Sequence, residues 1–294
     1  MPMQQRHREL IPAAFVLIWS SGFIVAKYAM PHAEPMTFLF MRFAGVVLLM
    51  IPVVLLIRPK WPSWPQAGHI AFAGLLLHAC YLGGVWAAVR QGMSAGLAAL
   101  IVGLQPLLTA WLAAFLSERV SARQWLGLLL GFVGVGLVVA EKFSMIGLGF
   151  LSLSLAGFGL ICITWGTLYQ KRFCPEFDLR AGSVIQFGVC ALACLPFMFG
   201  LETRDIHWHP EMIGALIWSI FGLSIGAISL LFIMIRDGAA TRVTSLLYLT
   251  PPTTAVMAWV LFDEPITPLI VLGTVLTVLG VWWVMRQPRS QDTN

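Results

Sequence analysis

Apolar runs of about one membrane thickness recur along the whole chain, each closed by a charged or proline-rich break. They fall at about 10–30, 36–57, 67–88, 95–116, 122–140, 146–169, 180–200, 211–235, 242–262 and 268–286. At 1.5 Å rise per residue, each is long enough to cross about 30 Å of hydrocarbon as a helix. Backbone N–H and C=O groups in lipid must pair within their own segment, and the runs lack the two-residue alternation of a barrel strand. The connections are short and leave no room for a separate soluble domain. The pattern therefore predicts an all-α integral membrane protein of ten transmembrane helices.

Composition supports the same reading. Hydrophobic residues make up 59% of the 294 residues and charged residues 11%, against about 25% charged in an ordinary soluble domain. Mean hydropathy is +0.86. A soluble enzyme, a disordered chain, a nucleic-acid binder and a disulfide scaffold are all disfavoured. The net charge of +5 is scattered between the runs rather than gathered in a patch, so it speaks to orientation. With ten spans and the N-terminus inside, thirteen Lys and Arg fall on the cytoplasmic side and five (Lys27, Arg42, Arg90, Lys142, Arg204) on the outer side. That asymmetry places both termini in the cytoplasm. The first run follows Arg6 and Arg8 as a signal peptide would, but it contains Lys27 and lacks a small-residue cleavage pattern, so it reads as a span that stays. The five cysteines show no metal spacing and read as reduced, buried thiols.

The chain also resembles itself. At an offset of 146 residues, Arg90 meets Arg236, Gly92 meets Gly238, Pro106 meets Pro252 and Glu118 meets Glu264. Gly127 meets Gly273, Gly134 meets Gly280 and Trp19 meets Trp165. An apolar background yields chance Leu and Val matches, not paired Pro, Glu and Gly at one offset. Two units follow, 1–146 and 147–294, each of five spans. Because five is odd, the second unit enters the membrane from the opposite side. Inverted repeats of this kind place a substrate site near the midplane between the halves, around a central cavity that opens to alternate sides.

Several motifs stand out: Trp19-Ser20-Ser21-Gly22-Phe23, Arg42-Phe43, Ser94 to Leu100 leading to Gln105-Pro106-Leu107, and Glu118-Arg119 before Trp125-Leu126-Gly127, with a degenerate copy at Asp263-Glu264-Pro265. In these the sequence resembles EamA-type members of the drug/metabolite transporter superfamily. The resemblance implies ten helices in two inverted repeats, a bacterial inner-membrane location, and export of small metabolites, often amino acids. Within the family the chain looks most like the YddG-type amino-acid exporters, whose substrates include aromatic ones. It implies a small-molecule partner and the lipid bilayer, no nucleic acid, no cofactor and no metal, with a homodimer left open. The copies depart from each other where Thr250-Pro251-Pro252 faces Leu104-Gln105-Pro106, and where Ser224 stands opposite His78.

A zwitterionic amino acid needs donors for its carboxylate, acceptors for its ammonium and an apolar wall. His78, mid-way along the third span, is either a substrate or proton ligand or a neutral histidine bonded to a neighbouring carbonyl. Tyr81 shares its face. Trp19 and Trp165 offer stacking walls, with a headgroup-level belt as the alternative. Lys27 reads as a carboxylate attractor at the outer mouth or as a snorkelling cation. Arg42 lies about 10 Å past Pro35 by helical rise, where bonds to carbonyls of a neighbouring helix are expected. Gln105 is a buried amide in need of partners. Pro106, Pro251 and Pro252 interrupt the fourth and ninth spans and are candidate hinges; Tyr248 is both a freed carbonyl and an aromatic wall. Glu118 and Glu264 read as surface or capping residues. No Asp or Glu lies deep in a span, which points to facilitated export down a gradient or to coupling through His78; no Walker loop occurs, which argues against ATP hydrolysis within this chain. A carrier of drugs or other metabolites, a nucleotide-sugar carrier and an intramembrane enzyme are the alternatives.

Overall fold

The computed structural model describes residues 2–115, 122–146, 149–227, 230, 247 and 249–285. Among them every regular element is helical. α1 (Pro2–Ala29) and α2 (Pro35–Ile57) lead into α3 (Trp64–Gly74), which passes without interruption through a π-helical stretch, π1 (Leu75–Cys80), into α4 (Tyr81–Arg90). α5 (Ala95–Val102) and α6 (Gln105–Phe115) are separated by a turn. α7 (Ala122–Ile146), α8 (Phe150–Phe173) and α9 (Leu179–Leu201) follow. α10 (Pro210–Trp218) runs into a second π-helical stretch, π2 (Ser219–Ala227), and α11 (Thr250–Phe262) and α12 (Pro268–Met285) complete the described elements.

The helices start where local chemistry allows. Proline occupies the first turn of α2, α3, α10 and α11, where its missing N–H has no intrahelical partner to lose. The side chains of Ser94, Asp178 and His209 accept backbone N–H groups at the starts of α5, α9 and α10. Six segments among the described residues are long and apolar enough to span a membrane: Ile11–Ala29, Pro35–Ile57, Trp64–Arg90, Phe150–Phe173, Leu179–Leu201 and Pro210–Ala227. Ala95–Thr109, Trp125–Glu141 and Pro268–Trp283 are shorter apolar helices. The expected runs at 211–235 and 242–262 extend into residues outside the described ones. The protein is a multi-pass membrane protein, and its surface agrees. Along α8, Phe158, Ile161 and Trp165 form an exposed stripe at helical spacing, while Ala156, Gly159 and Ile163 face inward.

Small residues set the tightest contacts. On α7 and α12, a Cβ added to Gly134 would strike the Gly273 carbonyl and sit 2.5 Å from Thr277 Oγ1. A Cβ on Gly280 would sit 2.5 Å from the Gly127 carbonyl. Gly127 thus faces Gly280 and Gly134 faces Gly273, an antiparallel contact. Gly273 and Gly280 are the residues 146 positions after Gly127 and Gly134, so the contact is reciprocal: each partner presents the same patch to the other. α2 likewise packs along α9, with Phe43 and Phe187 ring centroids 5.8 Å apart. α4 packs on α8, where a Cβ at Gly84 would lie 2.6 Å from the Leu155 carbonyl.

Candidate substrate site

Two features of the backbone recur at positions 146 residues apart. π1, shifted by 146 residues, falls on 221–226, inside π2. A π turn widens the helix and loosens its carbonyl pairing, and such turns cluster at functional sites. The turn at Gly103–Leu104, between α5 and α6, corresponds to Leu249, which precedes α11. These two interruptions approach each other: a Cβ on Gly103 would sit 2.9 Å from Pro251 Cγ. The prolines thus open helices at the second position of α6 and in the first turn of α11. Pro106, after the turn between α5 and α6, does not bend a continuous rod.

At π2 the polar chain begins with Arg42 of α2. Its side chain is buried, with the residue 7% exposed. The sequence expectation gives it carbonyl partners; instead its Nε and Nη2 donate to Ser224 Oγ, at 3.3 and 3.2 Å. Ser224 Oγ in turn donates to the Ser219 carbonyl, five residues back, at 3.0 Å. The hydroxyl therefore satisfies a carbonyl of the π turn and anchors the guanidinium at once. Among the described residues no carboxylate pairs with Arg42. Two acceptances by one hydroxyl leave a five-donor fork under-used, in an environment where a cation is costly without an anion.

At π1 the equivalent position holds His78. Its ring stacks on Phe187 of α9, centroids 4.8 Å apart at 29°. The Gln186 side chain lies close to it and donates from Nε2 to Gln170 Oε1 at 3.0 Å. Tyr81, one turn on, lies with His78 inside the electrostatic reach of Arg42. So π2 is cross-linked to α2 through a cation and a hydroxyl, while π1 meets α9 through stacked rings. The two π-helical stretches lie 146 positions apart, but the side chains they present differ. A second polar spot lies between α1 and α11. Thr254 Oγ1 donates to the Ser20 carbonyl at 3.2 Å, while Ser20 Oγ and Thr250 Oγ1 are buried and lack hydrogen-bond partners.

The other sequence candidates are dispersed. Lys27 Nζ pairs with Glu264 Oε1 at 2.7 Å, and the same oxygen accepts Ala95 N at 3.2 Å; Glu264 thus caps α5 while sitting largely buried. Gln105 Nε2 donates to Thr167 Oγ1 at 2.9 Å. Trp19 leans on Phe15, centroids 5.5 Å apart, in a small apolar cluster with Val16, Leu230 and Leu247. Trp165, 53% exposed, lies on the outer stripe of α8 and not beside the buried polar groups. Tyr248, Glu118 and Arg119 lie outside the described residues. The structure brings His78 and Tyr81 together with Arg42. It adds Ser224 and Gln186, which sequence reasoning passed over; the signal for Ser224 was its register opposite His78.

A buried cation, and buried hydroxyls without partners among the described residues, inside a multi-pass helical bundle are the kind of intramembrane polar groups a membrane transporter uses. The chain belongs to the EamA-like transporter family, whose model matches residues 10–140 and 150–286. It is 27% identical to the uncharacterized transporter YvbV of Bacillus subtilis, over 96% of this chain and 92% of that protein. It is 24% identical to the uncharacterized inner membrane transporter YedA of Escherichia coli K12, over 96% of each. It is 26% identical to a probable amino-acid metabolite efflux pump of Salmonella typhimurium, over 91% of each. A crystal structure of a protein 17% identical superposes with a TM-score of 0.66, covering 93% of this chain and 94% of the other, a likeness of fold.

Proposed function

We propose that this transporter exports amino acids, aromatic ones among them, or metabolites derived from them, across a bacterial inner membrane by alternating access, without ATP. The observation that carries the reading is Arg42: a buried guanidinium whose donors, among the described residues, meet a serine hydroxyl and no carboxylate, and which an incoming carboxylate would satisfy bidentately. Tyr81, His78 and Phe187 beside it offer hydrogen bonds and an aromatic wall. The buried hydroxyls of Ser20 and Thr250 offer acceptors to an ammonium group. The Salmonella relative's description as an amino-acid metabolite efflux pump points the same way.

Two inverted five-helix repeats, 1–146 and 147–294, with both termini cytoplasmic, provide the movement. The reciprocal α7–α12 glycine contact and the matched π turns support a two-fold relation in the membrane plane. At the end of the bundle holding residues 27–37 and 202–211, the halves are tied by Lys27–Glu264 and by a pair of helix-end contacts. Glu202 accepts Met36 N and Thr37 N, each at 2.7 Å, and Glu34 accepts Thr203 N at 2.6 Å. In the proposed orientation this is the outer end, closed. Proteoliposomes loaded with radiolabelled amino acids test the reading. Protein-dependent counterflow, competed by amino acids and not by the corresponding decarboxylated amines, is expected. Flux of a sugar nucleotide without amino-acid flux would overturn it.

A further inference from the structure

We infer that the outer end of the bundle holds a transition-metal site, formed by His32 from the α1–α2 connection and by His209 and Glu211 at the start of α10, suited to Zn2+. The three ligand atoms lie within 4.8 Å of one another. His32 Nε2 is 3.2 Å from Glu211 Oε2, and His209 Nδ1 is 3.7 Å from the same oxygen. Two imidazoles and one carboxylate, with a fourth position left for water, are a ligand set that Zn2+ takes at about 2.0–2.2 Å. Ligand atoms around such an ion stand a little over 3 Å apart, so the carboxylate is already in place with respect to both rings. The two rings are stacked, centroids 4.8 Å apart at 11°. They must tilt toward a common point, and their exposure allows it: the side chains of His209 and Glu211 are about half exposed, at 53% and 48%.

The backbone fixes the ligands on opposite sides of the boundary between the halves. His207 N donates to the His32 carbonyl at 2.9 Å, and His209 N donates to the His207 carbonyl at 2.7 Å. His209 Nδ1 also takes a long contact of 3.4 Å from Glu211 N, weak enough for the ion to replace it on that nitrogen. One ligand thus comes from residues 1–146 and two from 147–294. An ion there staples the halves at the end already held by Lys27–Glu264. On the alternating-access reading above, bound Zn2+ holds that end shut and slows transport.

The test uses tag-free, chelator-treated full-length protein in detergent. Titration calorimetry with Zn2+ is expected to give one site per chain, and Co2+ is expected to give the visible absorption of a low-coordinate ion. His209→Asn keeps a helix-capping side chain while removing the imidazole. His209→Asn, His32→Gln and Glu211→Gln are each expected to weaken binding at least tenfold, and His207→Gln to leave it unchanged. Zn2+ is expected to raise the melting temperature of the wild type and not of His209→Asn. Equal Zn2+ heats in all four variants, or no Co2+ absorption, overturns the site. In proteoliposomes, external Zn2+ is expected to slow flux through the wild type and spare His209→Asn. Binding with undiminished flux overturns the staple while the site stands. Absence of flux with any amino acid would count against the proposed substrate and leave the binding test untouched.

Discussion

Arg42 gives the sharpest test, because stability and binding should move in different directions when it is replaced. Removing one member of a hydrogen-bonded charge pair in a desolvated setting costs about 2–5 kcal/mol. The Coulomb energy of unit charges 4 Å apart at an effective dielectric near 20, about 4 kcal/mol, lies inside that range. At 1.4 kcal/mol per decade, Arg42→Met should weaken amino-acid binding between about thirtyfold and a few thousandfold. Arg42→Lys keeps the charge and loses the planar fork, and should fall between. The fold should not suffer: without substrate the guanidinium is a buried cation held, among the described residues, by the Ser224 hydroxyl, and apolar replacement of buried charge is often neutral or stabilising. Calorimetric or scintillation-proximity binding of an amino acid and of its decarboxylated amine, beside melting curves in detergent, separates the effects. The wild type should prefer the acid and Arg42→Met should lose that preference, at an unchanged or higher melting temperature. Retained preference in Arg42→Met would refute the assignment, as would equal loss of both ligands in a destabilised variant.

Two predictions bear on the scaffold. Gly134→Val drives a branched side chain into the Gly273 carbonyl and Thr277, and should lower stability by about 1–3 kcal/mol; Gly136→Ala, which meets nothing within 4 Å, should leave the melting temperature unchanged. Asp178 caps α9, accepting Arg180 N at 2.9 Å, and the Arg180 side chain holds its carboxyl below the ordinary 3.8. A lowered folded-state pKa stabilises above the ordinary value and is lost as pH falls through the folded one. Asp178→Ala should therefore destabilise by about 0.5–2 kcal/mol near neutrality, and the difference should vanish in strong acid; a constant difference across pH would contradict it.

The helix positions were legible because lipid makes length and apolarity decisive: the second and seventh runs match α2 and α9 to within one residue at each end, the sixth lies four residues before α8, and the first ends one residue past α1. The two π-helical stretches lie 146 positions apart, in step with the offset of the sequence self-match. Side-chain partnerships were less legible. Lys27 has two plausible destinations on a helical wheel, and only packing brings Glu264, 237 positions away, to it. Trp165 and Trp19 are repeat partners, yet one lies on an outer stripe and the other in an apolar cluster. A repeat fixes backbone register and leaves each residue's neighbours to the differing sequences of the two halves. Arg42 shows the same limit: depth in the span was computable, but the serine that meets it sits on a helix 182 residues on.

That mismatch between repeated backbone and unrepeated chemistry bears on how the two facing states are balanced. Exact two-fold related halves would make the inward- and outward-open forms equal in energy, so any bias must come from contacts present at one end only. Lys27–Glu264 is such a contact: the residue 146 positions after Lys27 is Phe173, and the residue 146 before Glu264 is Glu118, so no cation stands in the equivalent place. The Lys27 side chain is about a third exposed, at 32%, and that of Glu264 is 11% exposed. The pair thus falls between a solvent-screened bridge at about 0–1 kcal/mol and a buried one at about 3–5. A worth of about 1–2 kcal/mol shifts a two-state population about 5–30-fold. Lys27→Met should therefore move the protein toward the form open at this end. Spin labels at Pro31→Cys and Asp205→Cys, on the two connections there, report it by pulsed dipolar spectroscopy. The short-distance population should fall and a longer one grow, with helix content and melting behaviour preserved. An unchanged distance distribution in a well-folded Lys27→Met variant would mean that the ion pair caps α5 without biasing the cycle, and the source of the asymmetry would lie in the π turns instead.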